Sequence, residues 1–111
     1  FGGATPSISA GAAAGTSPTV AIVGCNNGGM VTVTTGTSPT ASATLATVTY
    51  SASAPTGSGV TLMPGNAAAA ALSGTKSVFV TGNTGNFTIT TGSAALTAST
   101  AYVWYYHVVP Y

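Results

Sequence analysis

Apolar residues alternate with hydroxyl-bearing ones along most of the chain. Val31 and Val33 are interleaved with threonines, Val60 and Leu62 flank Thr61, and Phe87 and Ile89 flank Thr88. A period of two marks a strand with one face buried and the other in water, because successive side chains leave a strand on opposite sides. Seven runs are predicted as strands: residues 19–23, 30–35, 44–50, 59–63, 77–81, 86–91 and 101–109. Gly, Pro, Asn and Ser separate them, and Asn26-Asn27-Gly28-Gly29 and Gly82-Asn83-Thr84-Gly85 read as hairpin loops.

No window of helical length repeats apolar residues at i, i+3, i+4 and i+7. The one helical candidate is the alanine run 66–72, with Asn66 able to cap it and Gly74 to end it. Without crossover helices a parallel sheet has no connections, so the pattern predicts an all-β fold, an antiparallel sandwich or jelly roll. Residues 1–15, rich in Gly and Ala, read as an arm or linker from a longer chain, leading into a β-sandwich domain over 16–111. The segment Gly15-Thr16-Ser17-Pro18-Thr19 recurs as Gly36-Thr37-Ser38-Pro39-Thr40. Both copies read as turns, since Pro fixes φ and ends strand pairing.

The last strand breaks the wet-face rule. Tyr102, Trp104, Tyr106 and Val108 share one side, while Val103, Tyr105, His107 and Val109 share the other. A two-layer sandwich covers only one face of each strand, so a second apolar face is expected to meet a neighbouring subunit. Tyr102, Trp104, Tyr105, Tyr106, His107 and Val108 are therefore expected at a subunit interface, where Tyr and Trp bury large rings while their OH or NH finds a partner.

Composition narrows the chemistry. The 111 residues include no Asp, Glu, Arg or Gln, and Lys76 is the only basic side chain besides His107. Catalysis by paired carboxylates and carboxylate-bound calcium or magnesium need side chains that are missing. One Lys cannot neutralise a run of phosphates, so no nucleic-acid partner is expected. No apolar run reaches the length of a membrane-spanning helix, so no membrane insertion is expected. Cys25 and His107 are too few ligands for zinc, and neither a metal nor a cofactor site is expected. His107 has no carboxylate to orient it and Cys25 no adjacent base, so the chain reads as non-enzymatic. Asn86-Phe87-Thr88 fits the glycosylation acceptor pattern, a short pattern that arises by chance in Thr-rich chains. A surface this poor in charge lacks the repulsion that keeps proteins apart, which suits a module of a larger assembly.

Several segments occur in an order that resembles β-rich modules of bacteriophage virion proteins, particularly the carboxy-terminal heads of fibres and spikes. They are residues 14–19, 31–37 and 45–50, then Val60-Thr61-Leu62-Met63-Pro64 followed by the alanine run 66–72. Last comes Ala95-Leu96-Thr97-Ala98-Ser99-Thr100 leading into the aromatic strand. The resemblance runs from Ala10 onward. It implies a non-catalytic structural protein on the surface of an extracellular virus particle, a homotrimer contacting other virion proteins. As a fibre or spike head it would meet a host surface glycan or protein through its loops, with Ser53, Thr56, Ser58, Asn83, Thr84 and Asn86 facing the receptor. The alternative implied role is a decoration or cement protein that stabilises the capsid lattice.

Overall fold

A computed structural model describes residues 2–111. Among them are eight strands: β1 (Ser7–Ala10), β2 (Thr19–Cys25), β3 (Gly28–Thr34), β4 (Thr44–Thr49), β5 (Ser58–Pro64), β6 (Val78–Gly82), β7 (Asn86–Thr91) and β8 (Ala101–Pro110). They form two four-stranded sheets, ordered β1-β4-β7-β6 and β2-β3-β8-β5, with every pairing antiparallel. All seven strands expected from the alternation are present. β1 and β8 lie in opposite sheets, so the pairing of first with last strand used by a jelly roll is not made.

β1 corrects the reading of residues 1–15 as an arm. It pairs with β4 from Ser7↔Thr49 to Ala10↔Ala46, and Ala12–Ala14 then form a 3-10 turn with Ala13 and Ala14 fully buried. Small side chains looked like linker composition; here they let the backbone close tightly on the end of β4. The N-terminal part of the expected arm includes Phe1, which lies outside the described residues.

The core fills the space between the sheets. One sheet contributes Leu45, Val48, Phe87 and Ile89, and the other Val31, Val33, Tyr102, Trp104, Tyr106 and Val108. Phe87 links them, its ring centroid 5.6 Å from Tyr106 and 6.0 Å from Tyr50. A register shift between Thr44 and Ala46 inserts Leu45 as an extra residue opposite β7. This bulge lets Leu45 and Ala46, adjacent in sequence, both be fully buried, which regular alternation forbids.

The short helix α1 (Ala67–Ala70) forms where the alanine run predicted it. Asn66 Oδ1 accepts from the Ala69 N–H at 3.0 Å and from the Val103 N–H at 3.3 Å, while its Nδ2 donates to the Ala101 carbonyl at 2.9 Å. One side chain thus caps α1 and fastens it to β8. The helix ends at Ala71 rather than Gly74, which instead opens a 3-10 turn at φ +58°.

The two Gly-Thr-Ser-Pro-Thr copies are turns, and they grip each other. Thr16 and Thr37 form an antiparallel bridge, with the Thr16 N–H donating to the Thr37 carbonyl at 2.8 Å and the Thr37 N–H to the Thr16 carbonyl at 3.0 Å. Ser17 and Ser38 share the same left-handed φ of 55°. A Cβ on Gly15 would strike the Thr37 carbonyl oxygen, and one on Gly36 the Thr16 carbonyl oxygen. The glycine that leads each copy is what permits this approach.

Candidate functional site

The sandwich divides the aromatic strand between two environments. Tyr102, Trp104, Tyr106 and Val108 are each 4% exposed or less and face Val31, Val33 and the opposite sheet. The expectation that these four meet a neighbouring subunit is corrected: the chain's own core covers them. Tyr102 and Trp104 stack at 5.9 Å, and the Tyr102 hydroxyl accepts from the Thr97 N–H at 3.0 Å. The Tyr106 hydroxyl donates to the Cys25 carbonyl at 2.6 Å. Burial, followed by the charges of Cys25 and Tyr50 when ionised, pushes the Tyr106 phenol up to about 12. Tyr50 is raised too, mainly by burial, against the opposing effect of its hydrogen bond to Ser58.

Tyr105, His107 and Val109 point the other way and remain exposed, while Val103 on the same face is half-buried. Register aligns Tyr105 with Met30 on one side and Met63 on the other, and Met30 in turn with Val23. The row Val23–Met30–Tyr105–Met63 therefore crosses all four strands of the second sheet on its outer face. Val23 is 63% exposed, Met63 60% and Tyr105 46%. The neighbouring row runs Cys25–Gly28–His107–Thr61. Only Gly28 separates the thiol strand from the histidine strand there. Backbone N–H groups of Asn27, Gly28 and Gly3 hold the Cys25 thiol below its ordinary value.

The expected receptor-facing loops come together at one end of the sandwich. The Ala54 N–H donates to the Thr84 carbonyl at 2.7 Å and the Tyr50 N–H to the Gly85 carbonyl at 2.9 Å. The buried Asn26 joins them, donating through Nδ2 to Ser51 Oγ at 2.8 Å and accepting from the Ser51 N–H at 3.1 Å. Ser53, Thr56, Asn83 and Thr84 are exposed on this surface; Asn86 is half-buried, its Oδ1 accepting from Asn83 Nδ2 at 2.9 Å. Ser58 is a correction. It is 4% exposed, accepting from the Tyr50 hydroxyl and donating to the Asn83 carbonyl, each at 2.8 Å. Its hydroxyl ties the two loops together instead of facing solvent. A Gly-Ser-Gly sequence suggested an exposed turn, whereas Ser58 opens β5.

Models of protein families, curated proteins and solved structures were each compared with the chain, and none matches it.

Proposed function

We propose that the chain is the non-enzymatic head module of a bacteriophage fibre or spike, a homotrimer that attaches the particle to its host surface. The observation that carries this reading is the apolar row Val23–Met30–Tyr105–Met63 on the outside of a folded sandwich. A row of large apolar side chains spanning the width of a sheet marks an association surface. Contact between copies covers it without desolvating a charge, because the only Lys, Lys76, lies away from this sheet in the turn before β6. The ordered segments resembling phage fibre heads support a virion role. The end where residues 51–57 and 83–85 meet supports attachment there, since exposed Ser, Thr and Asn suit hydrogen bonding to an uncharged glycan or a protein loop.

Two measurements test this. Light scattering on the purified chain at micromolar concentration should give a trimer, and Tyr105→Lys should dissociate it, because the contact would then bury an unpaired ammonium. A wild-type monomer overturns the outer face as the interface. Quantitative mass spectrometry of purified particles should then find a few to a few dozen copies of the chain per particle. Hundreds of copies would replace the attachment role with capsid decoration, and none would overturn the virion reading.

A further inference from the structure

β5 and β6 are terminal strands of opposite sheets and lie against each other on one side of the sandwich. A groove of about 440 Å³ opens between them. Its walls include Leu62 from β5, Leu72 from the segment after α1, and Val78 and Val80 from β6, and Trp104 of β8 lies beneath them. Trp104 is only 3% exposed, and its indole N–H makes no hydrogen bond to any described residue. No fully enclosed side-chain nitrogen or oxygen among the described residues lacks a partner. The N–H is therefore not fully enclosed, and Trp104 is one of the residues that line the groove. An indole offers a donor and no acceptor, so the groove floor calls for an acceptor oxygen.

The rim adds a second requirement. β6 pairs only with β7 and β5 only with β8, so each leaves one side of its backbone without a strand neighbour. Such edges are usually blunted by Pro, charge or a covering element. β5 is blunted, since it ends in Pro64 and packs against α1. β6, Val-Phe-Val-Thr-Gly, has neither Pro nor charge and runs in regular register with β7. Among the described residues that line the groove, none carries an ionisable side chain. A charged occupant would lose its hydration there without a counter-charge.

We propose that this groove docks an extended, uncharged peptide segment of another protein chain. The segment pairs through its backbone with the open edge of β6, turns alternate apolar side chains inward, and sets an acceptor oxygen against the Trp104 N–H. Strand addition of this kind draws affinity from main-chain hydrogen bonds and selectivity from the side-chain pockets.

Trp104 is the only tryptophan in the chain, so its fluorescence reports the groove directly. The probe is the blocked peptide acetyl-Thr-Val-Thr-Val-Thr-amide, titrated into the wild-type protein to millimolar concentration. Trp104 emission should shift to the blue with saturation, and acrylamide quenching should fall about twofold as water leaves the indole. Hydrogen exchange should slow in residues 78–82 and stay unchanged in β1, the edge at the far side of the same sheet. A peptide with Asp in place of one of its two valines, whose side chains face the groove, should bind about tenfold more weakly or worse. Ser77→Phe, at an exposed position on the rim, should abolish the response while preserving the melting temperature. No change in emission and exchange, or equal binding of the Asp peptide, overturns the proposal. A blue shift that grows with protein concentration in the absence of peptide also overturns it, by assigning the groove to a second copy of the chain.

Discussion

Thr35, just beyond the end of β3, offers a clean test of what holds the start of the aromatic strand. It is 3% exposed, and its hydroxyl donates to the Thr97 carbonyl at 2.6 Å and accepts from the Thr100 N–H at 3.0 Å. Its own N–H donates to the Thr100 carbonyl at 3.0 Å. One residue thus clasps the turn before β8, where Ser99 sits at φ 51°. Thr35→Val keeps the shape and removes the hydroxyl, leaving the Thr100 N–H without its acceptor inside the fold. An orphaned buried amide costs about 1–3 kcal/mol, and the extra methyl returns only part of that, so a net loss of about 2 kcal/mol is expected. Thr35→Ser keeps the hydroxyl and loses one buried methyl, for about 1 kcal/mol. In a domain of this size each kcal/mol moves the melting temperature by about 4 °C, so calorimetry should show losses of about 8 and 4 °C respectively. The ranking is the test. If the serine variant melts below the valine variant, packing of the methyl rather than the hydroxyl clasp holds this turn, and the argument fails.

Other outcomes follow from the same geometry. Gly36→Ala drives a methyl into the Thr16 carbonyl and should cost about 3 kcal/mol in denaturant unfolding, whereas Gly85→Ala, with open space around it, should be near neutral. Asn66→Ala removes the cap of α1 and two bonds to β8, for a loss of about 2 kcal/mol measured the same way. Raising pH should destabilise the fold. The unfolded chain releases its tyrosine protons near pH 10, while folded Tyr106 holds its proton to about 12 and Tyr50 is shifted in the same direction. Stability is therefore complete below about pH 10 and declines through pH 12, and Tyr106→Phe should flatten that decline in thermal melts.

Much of the architecture is legible in the sequence because it is written in a short period. Alternating Val, Thr and Ile report a half-buried strand locally, and Asn66 ahead of an alanine run reports a cap locally. β1 is not legible, because Ser7-Ile8-Ser9-Ala10 holds one large apolar residue and owes its strand geometry to the edge of β4. In β8 both faces are apolar, so alternation identifies two sets of residues without saying which is covered. That choice depends on Phe87 and the opposite sheet, a contact between residues far apart in sequence. The burial of Ser58 is not legible for the same reason, since its partners Tyr50 and Asn83 lie eight residues before it and 25 after. The groove beside Trp104 belongs to strands joined only through α1 and the turn that follows, and no local pattern marks it.

The outer row also concentrates a kind of chemistry that its shape does not suggest. The chain has two methionines, and both Met30 and Met63 flank Tyr105 on that face. Thioethers are soft and adaptable, well suited to a surface that must fit another. They are also the side chains that peroxide converts to polar sulfoxides, and Met63 is 60% exposed. An oxidant would thus place two new dipoles on either side of one tyrosine and leave the core untouched. Association through this face would weaken under peroxide while the fold beneath it stayed intact, and methionine sulfoxide reductase would restore it.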